Sequence, residues 1–398
     1  MRISRRTLIV GTGATALLLG RAYLRVPLWD KEANMTAKPT ELWEEFCEQL
    51  KRAGRVLARD ATPKDELTLA EGYRKLVHLV RIGFDAAVDF ADTEQPRVYQ
   101  SVTATTLGEG ETADAHYHQA FIDGSATYRV TGMRGTAPFV EFTVYAGKIG
   151  LQDVSRQVGA ITEESLAVDA DGRFEIILSP KPHPGNWIRT EPDANLLYIR
   201  QYTHDWSRTQ SATFEIRKEG ASDRSRPLTL DTVRAGLQRT ATFVDKAALL
   251  WAGIVDRRAS AGVNVFHEIP VAADPSRPEM PIGHRFSAGY FRLAPGEALV
   301  VTFKPIDVPY WGLSVTNYWF EPLSYDDHRA HVNNRTARFE ADGSVRAVIA
   351  NQRRAVPNWI DTLGHIEGPM IFRWSRTKAP LPTIHTEIVP LATLAGKF

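Results

Sequence analysis

The spacing of apolar residues near the start of the chain predicts two amphipathic helices. Over Trp43–Leu57, apolar residues recur in steps of three and four, and Thr40 can cap this helix at its N-terminus. A second helical run covers about Asp65–Phe90. The apolar stripe that we expect to face the core of the protein comprises Leu69, Tyr73, Leu76, Val77, Val80, Phe84 and Val88. Together the two runs predict a helical region over 35–98.

From Tyr99 the apolar period changes to two, which is typical of strands with one buried face. The alternation is clear in Phe139–Tyr145, and turn signals such as Asp171-Gly172 separate one short strand from the next. Short strands at this spacing predict an antiparallel β-sandwich over 99–220.

A helical block and an irregular segment lead to a second run of strands. Helical spacing predicts a linker helix over 227–258, and the prolines of 259–285 predict a long crossover. Period two returns at Phe286 and continues towards the end of the chain. A second sandwich is therefore predicted over 286–398.

A duplicated motif relates the two β regions. In the first region, Asp171-Gly172 is followed by Asn186-Trp187-Ile188 and then by Arg200. In the second, Asp342-Gly343 is followed by Asn358-Trp359-Ile360 and then by Arg373. The dipeptides Pro138-Phe139 and Pro309-Tyr310 precede these motifs at the same distance. Landmarks that recur in order, at nearly constant spacing, predict two homologous antiparallel β-sandwich domains within a mainly β protein.

The second copy resembles the bacterial domain of unknown function 1214. The resemblance rests on Tyr310-Trp311-Gly312, Asp342-Gly343, Asn358-Trp359-Ile360 and Phe372-Arg373, and the first copy matches more loosely. The resemblance implies antiparallel sandwiches of jelly-roll type. It implies no activity and no catalytic residues, because the family has no settled function.

Composition narrows the classes of function. With 48 Lys and Arg against 47 Asp and Glu, the net charge is +1, so nucleic acid is not a predicted partner. The single cysteine, Cys47, excludes an intrachain disulfide and a cysteine-based zinc site. The chain has no P-loop, dinucleotide fingerprint or C-x-x-C motif, and no cofactor is predicted.

The N-terminus indicates export. The hexapeptide Ser4-Arg5-Arg6-Thr7-Leu8-Ile9 resembles a twin-arginine signal, and the uncharged run Thr7–Gly20 is too short to span a membrane as a helix. We expect export or membrane anchoring through residues 1–34, with any membrane association confined to that segment. If the chain instead starts at Met35, the protein is expected to be cytoplasmic.

An aromatic stretch in the second copy is the preferred candidate for a ligand site. Trp311 and Trp319 are eight positions apart, so in an unbroken strand they would share a face. With Tyr310 and Asn317 they could form the wall of a pocket, although such a face can equally be part of the core. At its mouth, the candidates for acid–base chemistry are Asp326, Asp327 and His328.

The residues of the duplicated motif are further candidates. Trp359 either fills a corner of its sandwich or lines a cleft, and the structural interpretation is favoured because a feature that serves folding is expected in both copies. Arg200 and Arg373 end apolar strands, where each can bind an anion or pair with an internal acid. His116 and His118 alternate on a strand and are weak candidates for metal ligands, since no third ligand has a recognisable spacing.

Two functions remain open from the sequence. The first is binding of a small apolar or anionic ligand in an aromatic-walled pocket, for which the space between the sandwiches is one location. The second is an enzyme that uses Asp and His for general acid–base chemistry on a substrate held by Arg373. Binding is favoured because no nucleophile or metal signature is visible. The sequence leaves the oligomeric state open.

Overall fold

A computed structural model describes most of the chain after Thr40. The described residues are 40–108, 110–148, 155–222, 227–270, 283–326, 329–352 and 354–396. The expected export segment, 1–34, lies outside them. The chain divides into a segment that ends at Glu45 and a compact unit from Phe46 onward, and both β regions belong to the compact unit. Across the described ranges, no helix combines the length and apolarity needed to cross a bilayer.

The first β region is a sandwich of one five-stranded and one four-stranded sheet. Its strands are β1 (Tyr99–Gln100), β2 (Ala115–Phe121), β3 (Tyr128–Met133), β4 (Phe139–Ala146), β5 (Arg156–Thr162), β6 (Arg173–Ser179), β7 (Asn186–Arg189), β8 (Leu196–Tyr202) and β9 (Glu215–Lys218). The strand orders are β1-β2-β8-β4-β5 and β7-β6-β3-β9.

The second β region has the same construction. Its strands are β10 (Phe266–Glu268), β11 (His284–Arg292), β12 (Glu297–Phe303), β13 (Tyr310–Val315), β14 (His331–Asn333), β15 (Val345–Ala350), β16 (Trp359–Asp361), β17 (Glu367–Ser375) and β18 (Ile384–Pro390). The strand orders are β10-β11-β17-β13-β14 and β16-β15-β12-β18.

The two strand orders are identical once each strand is shifted by nine in number, so the predicted mainly β fold with two repeated sandwiches is confirmed. One detail differs from a wholly antiparallel arrangement. In each copy the strand that carries the Asn-Trp-Ile motif pairs in parallel with the strand before it, β7 with β6 and β16 with β15.

In the described residues, three α-helices accompany the sandwiches: α1 (Glu41–Ala53), α2 (Glu66–Phe84) and α3 (Leu230–Ala261). Asp65 caps α2 by accepting a hydrogen bond from the backbone of Thr68, and Thr229 forms a capping box with Thr232 at the start of α3. Short 3₁₀ helices cover Gly54–Ala58, Trp206–Arg208 and Leu391–Gly396, and a π turn covers Asp85–Asp89.

The predicted buried stripe of α2 is correct for Leu76 and Val80, which pack against the core, and wrong for Tyr73 and Val77. Tyr73 and Val77 are about two-thirds exposed, at 65% and 67%, whereas Glu71 and Lys75 are buried. The reason is the helix's packing partner: Gly72 lies against the Trp319 ring, and a Cβ at position 72 would come within 2.5 Å of that ring. Close approach at this glycine fixes the rotation of the helix, and buried polar partners compensate its polar inner face.

Each sandwich has its own apolar core, yet the central strands are buried on both faces. In β4, Val140, Phe142 and Val144 enter the first core, and in β13, Trp311 and Leu313 enter the second. The alternate residues of both strands are also buried. Since side chains alternate across a strand, the second face of each five-stranded sheet must be covered, and the two sheets cover one another.

Candidate functional site

The layer between the two five-stranded sheets is aromatic and polar. An apolar cluster joins Tyr117, Phe139 and Tyr202 of the first copy to Tyr310 of the second. The Tyr310 ring lies 5.6 Å from the Tyr202 ring and 6.3 Å from the Phe139 ring, measured between centroids. Burial raises the pKa of Tyr117, Tyr202 and Tyr310, so these phenols remain protonated.

In the first copy, the closing arginine has a carboxylate partner. Arg200 on β8 lies opposite Glu141 on β4, and its Nη1 donates to Glu141 Oε1 at 2.8 Å. Its guanidinium also stacks over the Tyr198 ring at 4.3 Å. Arg200 therefore forms the internal ion pair that was one of its two predicted roles.

Glu141 also faces the second copy. Its Oε2 lies 3.3 Å from His284 Nε2 and 3.6 Å from Arg376 Nη1. Although burial opposes ionisation, the proximity of His284 and the charges of Arg200 and Arg376 lower the pKa of Glu141 to about 2. Arg376 also binds Glu163 with two hydrogen bonds of 2.8 and 2.7 Å.

In the second copy, the equivalent arginine has no such partner. Arg373 on β17 lies opposite Gly312 on β13, at the register position that Glu141 occupies in the first copy. Arg373 Nη1 donates to Ser314 Oγ at 3.2 Å, and Nη2 donates to the carbonyls of Gly110 at 2.9 Å and Glu111 at 3.1 Å. Among the residues that the structure describes, no carboxylate oxygen lies within 4.0 Å of this guanidinium. Arg373 is 4% exposed, and its described hydrogen-bond partners are neutral oxygens.

Glycine at position 312 is required by the neighbouring tyrosine. A Cβ on Gly312 would lie 2.3 Å from the hydroxyl of Tyr310, whose side chain runs along the strand over this position. The first copy has Phe139 in the place of Tyr310 and can accommodate Glu141 two residues later. The second copy thus exchanges an internal acid for a phenol beside the arginine.

The Tyr310 hydroxyl reaches a buried carboxylate on the first copy. It donates to Asp114 Oδ2 at 2.8 Å, and Asn333 Nδ2 donates to the same oxygen at 3.0 Å. His331 Nε2 lies 2.9 Å from Asp114 Oδ1. Burial opposes ionisation, but His331 and the two hydrogen bonds lower the pKa of Asp114. Asp114 therefore stays ionised and joins the two copies next to Arg373.

The structure separates the two tryptophans that were expected to share a face, and that prediction is wrong. Strand β13 ends at Val315, before Trp319. Trp311 lies in the core of the second sandwich, in edge-on or tilted contact with Phe303, Phe372 and Trp374. Trp319 lies in a different cluster with α2 and α3, where its Nε1 donates to the carbonyl of Thr68. Both rings are buried at 2% exposure.

Asn317 stabilises the turn that follows strand β13 and contains Trp319. Its Oδ1 accepts hydrogen bonds from the backbone of Trp319 and of Glu321, and its Nδ2 donates to Glu321 Oε2. Of the predicted pocket wall, the structure places Tyr310 alone beside Arg373 in the layer between the sheets, and Trp311, Asn317 and Trp319 elsewhere.

The Asn-Trp-Ile corner has the same internal role in both copies. Asn186 exchanges two hydrogen bonds with the backbone of Ala167 and donates to the carbonyl of Glu175. Asn358 makes the equivalent three contacts with the backbone of Arg338 and Arg346. Trp359 packs against an apolar cluster that includes Val300 and Val348 of the four-stranded sheet. Arg373 lies in the other sheet of this sandwich, the five-stranded one. These contacts support the structural interpretation of the motif.

The remaining candidates do not gather around Arg373. Asp326 is exposed, and Asp327 and His328 lie outside the described residues. His116 stacks on Trp206 at 3.5 Å between centroids, and His118 packs edge-on against Phe214. Burial lowers the pKa of both histidines to about 4. Within the described part of the chain, no cluster of three His, Cys, Asp or Glu side chains could hold a metal ion.

Sequence reasoning missed Glu141, Asp114 and Ser314. A signal for Glu141 was present, since it is the one charged residue of the strand Phe139–Ala146. Aligning Pro138-Phe139 with Pro309-Tyr310 already places Glu141 against Gly312. No local pattern marks Asp114 or Ser314, because their partners are distant in sequence.

A second buried charge pair anchors α2 to the second sandwich. His365 Nε2 lies 2.9 Å from Glu71 Oε2, and its Nδ1 lies 2.7 Å from the carbonyl of Thr362. Both ring nitrogens face acceptors, which favours the doubly protonated imidazolium. Burial opposes protonation, but the hydrogen bond and charge of Glu71 raise the pKa of His365.

We expect His365→Gln to destabilise the protein in a pH-dependent way. The folded-state pKa of His365 is raised, so the stabilisation is complete below its unfolded value, about 6.5, and is lost as the pH rises through the folded value. Urea unfolding at about pH 6 should show a loss of about 1.5–3 kcal/mol, and the difference should narrow by about pH 9. The exposed His385→Gln is the control; a difference for His365→Gln that is constant or grows with pH would contradict this assignment.

One family model matches part of the chain. The family model described as "Protein of unknown function (DUF1214)" matches residues 111–205, in the first copy, whereas the sequence motifs had suggested the closer match in the second. No curated protein matches the chain.

Solved structures extend the comparison to most of the chain. An uncharacterised protein from Burkholderia cenocepacia is 34% identical with a TM-score of 0.83, and the alignment covers 89% of this chain and 98% of that one. The VPA0106 protein from Vibrio parahaemolyticus is 10% identical with a TM-score of 0.45, over 85% of this chain and 100% of that one. With the family model matched and a relative aligned over nearly its whole length, the chain belongs to the DUF1214 family of proteins of unknown function.

Proposed function

We propose that the protein binds a small organic anion between its two five-stranded sheets and that Arg373 holds the anionic group. The observation that carries this proposal is the asymmetry of the repeat. Arg200 has Glu141 as its partner, whereas Arg373 faces Gly312 and has no carboxylate within 4.0 Å among the described residues.

A buried, unpaired guanidinium is costly, and a bound anion would remove that cost. Burying a charge without a counter-charge is unfavourable, whereas charge-assisted hydrogen bonds to a carboxylate are among the strongest in proteins. A guanidinium has five N–H donors. Arg373 donates three hydrogen bonds to Ser314, Gly110 and Glu111, so the Nε–H and one Nη1–H remain for a ligand.

The surroundings of Arg373 suit an organic ligand. Its charge acts on the phenols of Tyr117, Tyr202 and Tyr310, which places these groups in its neighbourhood. Its guanidinium lies 6.0 Å from the centre of the Phe286 ring. Aromatic rings with a few convergent polar groups are typical of small-molecule sites. Catalysis by Asp326, Asp327 and His328 stays a prediction, because no described contact links Asp326 to this arginine.

Ser314→Asp tests the proposal, because it places a carboxylate beside Arg373 in the position that the ligand would take. Thermal unfolding of the full chain would be followed with acetate, benzoate or phosphate at constant ionic strength. We expect at least one anion to stabilise the wild type, by about 2.7 kcal/mol at a hundred times its Kd, and not to stabilise Ser314→Asp.

The matched control is Ser314→Asn, which has nearly the same shape without the charge and should keep the response. Unfolding of both variants without anion shows whether each folds. A wild type that responds to none of the anions, or a Ser314→Asp variant that responds as Ser314→Asn does, would contradict the proposal.

A further inference from the structure

We infer that the ligand is an aromatic monocarboxylate, as opposed to a phosphate ester or a dicarboxylate. This inference rests on the proposed function and narrows it. It follows from the sum of charges around Arg373, from the number of free donors on that residue and from the rings that surround it.

The other buried cations described near this layer are already engaged. Arg200 is paired with Glu141, and Arg376 with Glu163. Lys148 donates to Gln119 Oε1 at 2.8 Å and lies over the Phe243 ring. The charge of Lys75 acts on Glu321. Arg373 has one positive charge and no carboxylate within 4.0 Å among the described residues, so a ligand with one negative charge would match it.

A second negative charge on the ligand would meet repulsion. The ionised Asp114 lies directly behind the Tyr310 hydroxyl, at 2.8 Å, and the ionised Glu141 lies across the layer on β4. Both carboxylates have lowered pKa values, so neither is neutralised near neutral pH. Like charges at short range repel each other more strongly in a buried site than in water, because the effective dielectric constant is lower there.

The free donors of Arg373 also match a carboxylate better than a phosphate. Its Nε–H and remaining Nη1–H, with the hydroxyl of Ser314 beside them, can satisfy two oxygens. A phosphate monoester has three strongly accepting oxygens and close to two charges, and the third oxygen would be left among phenols and the Phe286 ring.

The aromatic rings of this layer are the reason why we expect the ligand to carry an aromatic ring. Tyr117, Phe139, Tyr202 and Tyr310 form one cluster, with centroids of adjacent rings 5.6 to 6.5 Å apart. Such distances are typical of edge-to-face and offset contacts between aromatic groups. A planar ring attached to the carboxylate would extend this arrangement.

The test is calorimetric titration of the full-length wild type and of Arg373→Gln with benzoate, phthalate, phenyl phosphate and benzamide. We expect benzoate to bind the wild type at least about tenfold more tightly than each of the other three. We expect Arg373→Gln to lose this preference for benzoate over benzamide.

The outcomes separate this inference from the proposed function. If phenyl phosphate or phthalate binds as tightly as benzoate and depends on Arg373, the monocarboxylate class is overturned and anion binding stands. The same holds if none of the four binds although acetate or phosphate stabilises the wild type. Equal binding of benzamide and benzoate, or no response to any anion in either experiment, would overturn both.

Discussion

Glu141→Gln is expected to destabilise the protein by about 3–5 kcal/mol, the cost of removing one partner from a buried ion pair. Glu141 is 1% exposed and accepts hydrogen bonds from Arg200 and Thr143. It also faces His284 and Arg376 of the second copy. An amide in its place leaves Arg200 without its carboxylate partner, although Arg376 keeps Glu163.

Urea unfolding at neutral pH measures this loss. The matched control is Glu175→Gln, because Glu175 pairs with Arg129 on the surface, where the two side chains are 51% and 44% exposed. That change should cost no more than about 1 kcal/mol. If Glu141→Gln costs as little as the control, Glu141 does not stabilise the protein by pairing with Arg200. The lack of such a partner at Arg373 would then be no argument for a bound anion.

Replacing the motif asparagine is the second large effect. Asn358→Ala and Asn186→Ala each remove three hydrogen bonds to backbone groups, and we expect a loss of about 3 kcal/mol for each. Asn358 also has a left-handed backbone with φ of +52°, which asparagine tolerates and alanine does not. Asn358→Ala should therefore be the more destabilising of the two, by about 1 kcal/mol.

Denaturant unfolding of the two variants tests whether the motif is structural. The exposed Gln210→Ala is the control and should change the free energy of unfolding by no more than about 0.5 kcal/mol. Both asparagine variants should still show anion-dependent stabilisation once folded. Normal stability with lost anion binding in either variant would instead assign the Asn-Trp-Ile corner to the ligand site.

The duplicated motif allowed two homologous sandwiches to be predicted from the sequence. Asp-Gly and Asn-Trp-Ile recur at nearly constant spacing because each serves a local role, as a turn and as a backbone brace. The prediction that Arg200 and Arg373 end their strands is wrong, because both strands continue for two more residues. Local roles leave local patterns. The same spacing related Arg200 to Arg373, and the internal ion pair that was one predicted role is found at Arg200.

The partners of these arginines were not accessible in the same way. That Glu141 lies opposite Arg200, and Gly312 opposite Arg373, is known only from the strand register of β4 and β13. Part of the buried face of α2 was predicted wrongly because Gly72 and Glu71 pack against residues more than two hundred positions away. The eight-residue spacing of Trp311 and Trp319 failed because the turn built by Asn317 interrupts the strand.

The expected family resemblance and the observed match also differ in place. The motifs are clearest in the second copy, yet the family model matches 111–205. That range includes Asp114, Glu141 and Arg200, the residues through which the first copy contributes charge to the layer between the sheets.

The most direct test is a crystal structure of the full chain with 4-bromobenzoate, using the anomalous signal of bromine. If Arg373 binds an anion in this layer, we expect a bromine peak between the two five-stranded sheets, with the carboxylate within hydrogen-bond distance of Arg373 Nε and Nη1. A protein carboxylate bound to Arg373 in the crystal, or a ligand that lies elsewhere and leaves this guanidinium uncontacted, would contradict it.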